Sequence, residues 1–386
     1  MGENMKKALV VANLAGFVHF LWNDIEILQE MGYEIVFAAH DEMLDNKARY
    51  RYFEQKGITF FNLSLSSKNP FSKKNLNAFF ELQRLMRQED FDLIHCHTPI
   101  AGFVARAAAQ KYRRGGTKVI YTSHGLAFTR FSTKKQWWTY YLLEKLASLF
   151  TDTIITINQE DYLAAKKFFC KDIRKINGVG VDTKLYHNVD INTNAYKEKL
   201  GLPQDKIMVL SVGELSVRKN HQIIIKALGE IKEKDKYIYV ICGREVGNGS
   251  ITNSLKALAK ECGVELYLLG HRNDIPEIMH CSDIGAIPSV REGLGLAGVQ
   301  SLCAEVPLVG TDVQGIREYI IDGVTGYLCL PYDVKGYAEA ITKLSDPALR
   351  ISLKRNCYDV AKQFDVTVSH CQMRNIYTSL LGEKTQ

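Results

Sequence analysis

The sequence contains no apolar run of about eighteen residues, the length that a helix needs to cross a bilayer. It also lacks paired cysteines, because its nine Cys are scattered and no two of them form a C-x-x-C pair. This pattern argues against a disulfide framework or a zinc motif, and it predicts reduced, buried thiols. A net charge of +6 is too small to indicate nucleic-acid binding. The basic excess lies in the N-terminal half, which favours an anionic partner or a membrane surface there.

The first residues, 1–7, match neither a secretion signal nor an N-myristoylation site. We therefore expect a cytoplasmic protein. A chain of 386 residues is long enough for two domains, each with its own hydrophobic core.

Short, continuous apolar runs alternate with longer helical patterns, and the series restarts halfway along the chain. Continuous apolarity predicts parallel strands covered by helices on both faces, so two such series predict an α/β fold with two doubly wound, Rossmann-like domains. The predicted strands are 7–14, 33–40, 59–65, 91–98, 118–125 and 153–158, then 206–213, 237–244, 265–271, 284–289, 307–311 and 327–331.

The domain boundary is expected in the polar stretch 177–194, which shows no apolar periodicity. We predict an N-terminal domain over 1–185 and a C-terminal domain over 186–365, with a last helix, 366–386, packing back on the first domain. Ligands bind at the carboxyl ends of strands in such sheets, so a cleft between the two facing domains is the expected site.

The segment 288–296, PSVREGLGL, ends a predicted strand and begins a helix near Leu296. Its glycines allow a ligand to approach the backbone closely, and Glu292 can accept hydrogen bonds from sugar hydroxyls. Backbone N–H groups at a helix start suit a phosphate or an electron-rich sugar oxygen. A second segment, 213–220, places Arg218 and Lys219 in a turn after a strand, where two cations would face a diphosphate.

Together these motifs resemble the signature of the retaining GT-B glycosyltransferases of family GT4, in which P-S-x-x-E-G-x-G-L leads through a second Glu to G-x-P-V-V. The resemblance implies that a nucleotide sugar binds mainly to the C-terminal domain and the acceptor to the N-terminal one. It covers almost the whole chain and includes DLIHCH at 92–97, TSHG at 122–125, SVG at 211–213, KNH at 219–221 and DGVTG at 322–326.

The resemblance implies that Glu292 contacts the donor sugar, with the backbone of Gly293, Leu294 and Gly295 alongside. The family's second Glu falls at Gln300, which we expect to bind the ribose hydroxyls without an acid–base role.

The family also places an Arg directly after the strand-end glycine and a Lys five positions later. Lys219 matches that Lys, whereas Glu214 replaces the Arg, and Arg218 is expected to supply the missing cation. The loop at 270–274 lies against the nucleobase in the family, which makes Arg272 a candidate to stack on it.

In the N-terminal domain, the resemblance implies that Gly16 lets the backbone approach the donor phosphates and that His124 bonds the donor sugar or an oxygen at the reacting centre. His95 and His97 alternate on one strand and so share a face. Because no third metal ligand is evident, we interpret both as structural, with His97 placed to line the cleft.

The segment 129–149 mixes Arg130 and neighbouring lysines with Trp137, Trp138 and two tyrosines. This mixture is typical of a helix at an anionic membrane, and Lys68, Lys73 and Lys74 add positive charge in a nearby loop. The alternative is an ordinary helix packed on its domain. We predict a lipid-linked saccharide acceptor and a peripheral position at the inner face of the membrane.

The wording of the motifs looks most like capsular and exopolysaccharide transferases, which commonly use UDP-linked N-acetylated sugars. No cofactor or metal ion is expected, since cations and helix N-termini would stabilise the departing diphosphate. Three alternatives remain open: a transferase with a soluble acceptor, a nucleotide-sugar epimerase, and a non-catalytic protein that binds sugar nucleotides.

Overall fold

The computed structural model describes residues 5–41, 46–66, 69–245 and 249–382. The chain divides into two compact units. The first unit comprises Met1–Gly180 with Thr367–Gln386, and the second comprises Val181–Val366.

The first unit is built on a parallel sheet in the order β3-β2-β1-β4-β5-β6-β7. Its strands are β1 (Lys6–Leu14), β2 (Tyr33–His40), β3 (Ile58–Asn62), β4 (Leu93–His97), β5 (Lys118–Ser123), β6 (Thr153–Thr156) and β7 (Asp172–Lys175). The helices between them are α1 (Trp22–Glu30), α2 (Asn46–Glu54), α3 (Lys73–Gln88), α4 (Pro99–Arg114), α5 (Lys134–Ala147) and α6 (Gln159–Ala165).

The second unit repeats the plan with a parallel sheet in the order β10-β9-β8-β11-β12-β13. Its strands are β8 (Ile207–Val212), β9 (Tyr237–Cys242), β10 (Glu265–Gly270), β11 (Ile284–Ile287), β12 (Leu308–Thr311) and β13 (Gly326–Cys329). Its helices are α7 (Thr183–His187), α8 (Thr193–Lys199), α9 (Gln222–Glu230), α10 (Ser250–Cys262), α11 (Ile275–His280), α12 (Leu296–Cys303), α13 (Val334–Leu344) and α14 (Pro347–Ala361).

Both sheets confirm the predicted class, since all their paired strands run parallel and each predicted strand is present. Residues 8–12 of β1 form an unbroken apolar run and are all fully buried, as expected for a strand covered on both faces. In each sheet the order reverses next to the first strand, β1 or β8. Strand-end loops diverge at that point and leave room for a ligand.

The last helix, α15 (Val366–Leu381), lies mostly in the first unit. The Ser369 hydroxyl donates to the carbonyl of Gly178 at 3.0 Å, and the Asn177 N–H donates to the Gln372 side chain at 2.9 Å. Further along α15, the Tyr377 hydroxyl lies 2.8 Å from Nδ1 of His95 on β4. These contacts bring the C-terminal helix against the sheet of the first unit.

All nine cysteines are unpaired, and seven of them are buried. Cys262 is half-buried, and Cys371 on α15 is exposed, so the expectation that the thiols act as buried apolar groups is wrong for Cys371. Within the described ranges, no helix has both the length and the apolar composition to cross a bilayer.

Candidate active site

The turn after β8 is shaped by glycines and carries the two predicted cations. Gly213 has φ +152°, and a Cβ added there would lie 3.1 Å from Cε of Lys219, so the lysine side chain lies across this glycine. A Cβ on Gly243 would fall 1.7 Å from the Gly213 carbonyl oxygen, which excludes any side chain at that position. The Ser216 hydroxyl caps the short 3-10 helix Val217–Lys219. This local structure fixes where Lys219 and its neighbour begin.

Glu292 lies at the centre of a group of four charged side chains. Its Oε1 accepts hydrogen bonds from Nζ of Lys219 at 2.6 Å and from Nη1 of Arg218 at 2.9 Å. Arg218 also donates to Glu214 at 3.1 Å and to the Arg291 carbonyl at 3.1 Å. We call Glu214, Arg218, Lys219 and Glu292 the Glu292 cluster. The structure therefore brings together three residues that the sequence analysis selected from two separate motifs.

The electrostatics of the cluster are balanced. Burial opposes ionisation of Glu292, yet the charges and hydrogen bonds of Lys219 and Arg218 outweigh it and hold the pKa of this carboxyl below its ordinary value. Two carboxylates thus neutralise two cations. Glu214, which replaces the family's Arg, binds the guanidinium of Arg218, a contact that the sequence analysis did not predict.

The loop that carries Glu292 is held in place by a tyrosine and two glycines. Gly295, at φ +82°, precedes α12, and its carbonyl accepts a hydrogen bond from the Tyr319 hydroxyl at 3.2 Å. A Cβ on Gly298 would lie 2.3 Å from that same hydroxyl oxygen. A Cβ on Gly315 would lie 2.0 Å from the Gly293 carbonyl oxygen. Close approach at these glycines therefore fixes the loop, and no motif in the sequence indicated Tyr319 as its support.

The other residues predicted to bind the nucleotide sugar differ in which of their groups can reach a ligand. Leu294 is buried, so it can offer only its backbone to a ligand. Arg272 forms a two-point ion pair with Asp274, which leaves the face of its guanidinium as the part able to stack on a base. The hydrogen bonds to Arg272 are the main reason that the pKa of Asp274 falls to about 2, despite opposing burial. Gln300 is half-buried on α12.

His221 supports the basic turn from below. Its Nε2 lies 3.2 Å from the Glu214 carbonyl, and its Nδ1 lies 3.1 Å from the Tyr239 hydroxyl. A carbonyl can only accept, so the proton of this ring is on Nε2. Burial lowers the pKa of His221 to about 4, which keeps the ring neutral. The sequence offered the KNH motif as a signal, but not this role.

In the first unit, Gly16 lies in the 3-10 helix Ala15–Phe20 that follows β1, where it is exposed and an added Cβ would meet no atom within 4 Å. The next residue, Phe17, packs edge-on against the ring of His124 with centroids 4.9 Å apart. His124 follows β5 and is half-buried. Burial lowers its pKa to about 4, so the imidazole is neutral at physiological pH. The structure thus places the Gly16 turn beside His124.

Behind His124 lies a group of buried polar side chains that the sequence showed only in part. Nδ1 of His97 lies 3.1 Å from Nε2 of His124. His97 is fully buried, so the expectation that it lines the cleft is wrong. The carboxyl of Asp24 on α1 lies close to both His95 and His97, and this corrects the statement that no third candidate metal ligand exists. The absence of a metal requirement stays a prediction.

The α5 segment has one packed side and one exposed side. Trp137 stacks on Tyr141 at 4.6 Å and packs against Phe128, which is the pattern of an ordinary core-facing helix. Trp138, Leu142 and Leu146 recur every four residues on the neighbouring face of the helix and are about half exposed. We call these three residues and Leu149 the α5 stripe.

Basic residues accompany the α5 stripe. Lys134 and Lys135 are exposed at the start of α5, and Lys73 and Lys74 are exposed at the start of α3. Phe71 and α5 line a common groove, which connects the two regions. Lys68 lies outside the described residues.

Two family models match the chain, one to each half. "Glycosyl transferase 4-like" matches residues 7–158, and "Glycosyl transferases group 1" matches residues 192–363. The chain is 32% identical over 374 residues to EpsD of Bacillus subtilis (strain 168), a protein provisionally named a glycosyltransferase, and the match covers 95% of this chain and 93% of that protein.

A second relative is the Escherichia coli UDP-Gal:alpha-D-GlcNAc-diphosphoundecaprenol alpha-1,3-galactosyltransferase, at 27% identity and 81% coverage of each chain. Among solved structures, Anabaena Alr3699/HepE in complex with UDP superposes with a TM-score of 0.77 at 20% identity, covering 97% of this chain and 100% of that one. WaaG, a glycosyltransferase involved in lipopolysaccharide biosynthesis, gives a TM-score of 0.72 at 16% identity, covering 97% and 100%. These likenesses confirm the predicted GT-B fold.

Proposed function

Since the chain belongs to the group 1 glycosyl transferases of family GT4, we propose that it transfers a sugar from a UDP-sugar to a growing saccharide in extracellular polysaccharide biosynthesis. The name of one relative supports the donor and the process. EpsD, at 32% identity, is named only as a glycosyltransferase, whereas the E. coli relative is named as a transferase that uses UDP-Gal and a diphosphoundecaprenol-linked sugar.

The observation that carries the proposal is the Glu292 cluster. When a nucleoside diphosphate leaves, negative charge grows on its phosphate oxygens and positive character grows on the anomeric carbon. Lys219 and Arg218 are already fixed beside the start of α12, so they can stabilise that charge without reorganisation. Glu292, held by both cations, is placed to accept hydrogen bonds from the sugar hydroxyls. The proposed reaction needs a buried carboxylate next to two cations, and the second unit provides it.

Finer assignments follow the family resemblance and are part of the proposal. Gln300 would bind the ribose hydroxyls, Arg272 would stack on the uracil, and the exposed backbone at Gly16 would approach the phosphates. His124 would hydrogen-bond the donor sugar at the reacting centre. We propose that transfer retains the anomeric configuration and needs no metal ion.

We propose a lipid-linked saccharide as the acceptor, used by a protein that binds the inner face of the membrane from the cytoplasm. The exposed α5 stripe and the adjacent lysines support this choice, because apolar and cationic groups together favour an anionic bilayer. The name of the E. coli relative describes a diphosphoundecaprenol-linked acceptor. For the transferred sugar we propose an N-acetylated hexose, with galactose as the alternative that the same name suggests.

The first experiment is a thermal-shift screen of UDP-, GDP- and ADP-sugars, followed by a transfer assay with a membrane extract as the source of acceptor. We expect stabilisation by UDP-sugars and radiolabel transfer into the lipid fraction. Glu292→Gln should reduce transfer about a thousandfold, because it removes the charge that grips the sugar. The same variant should bind UDP as tightly as the wild type or more tightly, since Lys219 and Arg218 lose a competing carboxylate.

Glu339→Gln on the exposed side of α13 is the matched control and should change neither property. Turnover unaffected by Glu292→Gln would contradict the site. Stabilisation only by GDP-sugars would contradict the donor. Release of an epimer or free sugar without acceptor would favour the epimerase, label in soluble saccharides would favour a soluble acceptor, and binding without turnover would favour a non-catalytic protein.

A further inference from the structure

Three buried polar residues of the first unit have no part in the transfer proposed above. They are Asp24 on α1 and the pair His95 and His97 on β4. One ring nitrogen of each histidine and one carboxylate oxygen of Asp24 all lie within 4.8 Å of one another. Such a group could hold a metal ion or could orient a reacting residue. The contacts of each member distinguish these two roles.

His95 is already satisfied by hydroxyl groups. Its Nδ1 lies 2.8 Å from the Tyr377 hydroxyl and its Nε2 lies 2.8 Å from Oγ1 of Thr122. A metal ion bound by His95 would have to replace one of these two hydrogen bonds. The contacts of His95 therefore fit a structural link between β4, β5 and α15, and they leave Asp24 and His97 to be explained.

His97 has one partner and one nitrogen without a partner. Its Nδ1 faces Nε2 of His124 at 3.1 Å, whereas its own Nε2 is buried and finds no hydrogen-bond partner among the described residues. Buried polar atoms in native proteins are nearly always satisfied, so an exception indicates a function or a water molecule. The unsatisfied nitrogen belongs to the residue that touches the half-buried His124.

Asp24 is a buried carboxyl group with an oxygen within 4.8 Å of a ring nitrogen of His97. It is 7% exposed, and burial raises its pKa to about 7, so a charged Asp24 gains little from its surroundings. No direct hydrogen bond joins Asp24 to His97 among the described residues. A separation below 4.8 Å can be bridged by one water molecule, which is a common arrangement for polar groups at this distance.

We propose that Asp24, through one water molecule, holds a proton on Nε2 of His97 and thereby sets the tautomer and orientation of His124. Nδ1 of His97 then accepts a hydrogen bond from Nε2–H of His124, and Nδ1 of His124 is left as an acceptor. Asp24 and His97 are positioning residues for His124. The catalytic importance of this hydrogen-bonded chain, from Asp24 through His97 to His124, rests on the role of His124 proposed above.

The tautomer of His97 determines that of His124, because two neutral imidazoles 3.1 Å apart can share only one proton between their facing nitrogens. Both rings are neutral, since burial lowers the pKa of His124 to about 4 and holds that of His97 well below its ordinary value. Fixing the proton at one end of such a chain therefore fixes it at the other. A buried carboxylate holds the histidine of a catalytic triad in one tautomer by the same logic.

The test is the tautomer of His124, measured by ¹⁵N NMR on the full chain labelled at histidine, with His124→Gln used to assign the signal. In the wild type we expect the proton of His124 on Nε2. Asp24→Asn can donate as well as accept a hydrogen bond, so the proton of His124 should shift from Nε2 toward Nδ1. Asp24→Leu can do neither, so His124 should become a mixture of the two tautomers. Asp24→Asn should lower kcat about a hundredfold while KM for the donor changes less than threefold.

Tyr377→Phe is the matched control, because it removes a hydroxyl from the same buried group, and among the described residues that hydroxyl hydrogen-bonds His95 and not His97 or His124. It should leave the tautomer and kcat unchanged. A wild-type proton on Nδ1, or an unchanged tautomer in folded Asp24→Asn and Asp24→Leu, would overturn the proposal. A stoichiometric metal ion in the purified protein that Asp24→Asn loses would overturn it as well. If the Asp24 variants show the expected tautomer shifts but His124→Gln keeps full turnover, His124 has no catalytic role. The hydrogen-bonded chain from Asp24 through His97 to His124 would still stand.

Discussion

The two units use opposite electrostatics around their candidate residues. In the second unit, Lys219 and Arg218 are paired with Glu292, and all three groups are charged. In the first unit, burial keeps His97 and His124 neutral, and the histidines contact one another rather than carboxylates. The same doubly wound architecture therefore supports a charged site in one unit and a neutral hydrogen-bonded chain in the other.

This difference matches two chemical tasks. A leaving diphosphate needs cations that are already in place, and Glu292 keeps those cations ordered while the site holds no donor. A sugar hydroxyl or a reacting oxygen needs a hydrogen bond of defined direction, which a neutral imidazole in one tautomer can give. Changes to the two cations of the second unit should therefore alter nucleotide affinity, whereas changes to Glu292 or to the histidines of the first unit should alter turnover.

The sharpest way to break this comparison is Lys219→Met. The side chain is 17% exposed and its Nζ contacts the buried Glu292, so the substitution removes the cation closest to that carboxylate. The substitution leaves Glu292 paired with Arg218 alone and removes one of the two cations proposed to face the diphosphate, so we expect UDP to bind about a hundredfold more weakly by calorimetry. Arg218→Met should have a smaller effect, about tenfold, because that side chain is 35% exposed.

Lys226→Met is the matched control, since Lys226 is exposed on α9. If Lys219→Met weakens UDP binding no more than Lys226→Met does, the charged cluster is not the diphosphate site. The contrast between the two units would then lose its meaning.

A second prediction concerns their surfaces. Replacing Trp138 and Leu142 together by serine should reduce binding to anionic phospholipid vesicles at least tenfold in a sedimentation assay, because each buries apolar area in the bilayer. Ile351→Ser is the control, since Ile351 is 67% exposed on α14 of the second unit. Equal binding by the double variant and the wild type would identify α5 as an ordinary packed helix.

Most of the fold was predictable because its strands are buried on both faces. The segment 33–40 was predicted with its observed bounds, since Tyr33–His40 contains an unbroken apolar run from Ile35 to Ala39. The strand β7 was not predicted, because Asp172–Lys175 has only one apolar residue in four. The short helices α7 and α8 were also missed, since they lie in a polar stretch and each spans fewer than two helical turns, too short for an apolar pattern to repeat.

The site was predictable only where one motif contains it. Glu292 and Lys219 stand in recognisable strings, although 73 positions separate them and only the fold brings them together. Asp24 gave no signal, because it lies on an ordinary helix far from His97 in the sequence. Tyr377 was equally hidden, since 282 positions separate it from His95. Contacts of this kind depend on tertiary packing, which local pattern and propensity do not encode.

The smallest predicted effect is on stability in acid. The pKa values of His95, His97 and His124 lie below 6.5 in the folded protein, so the unfolded chain binds more protons, and stability falls as the pH drops from about 6.5 toward 4. Asp24 acts in the opposite sense: its pKa is raised to about 7, so stability is lost as the pH rises through that value and partly returns in acid. His221 destabilises the second unit in the same window as the other histidines.

The first unit has three such histidines opposed by one carboxyl. From pH 7.5 to pH 5 its free energy of unfolding should therefore fall by about 1 to 2 kcal/mol more than that of the second unit. Hydrogen exchange followed by mass spectrometry can measure this as protection in β4 and β5 against β8 and β9, after correction for intrinsic exchange. His124→Gln should narrow the gap, because it removes one group that must be protonated on unfolding. Equal losses of protection in both sheets would mean that the buried imidazoles are not held neutral by the fold. The electrostatic contrast between the units would then rest on the charged cluster alone.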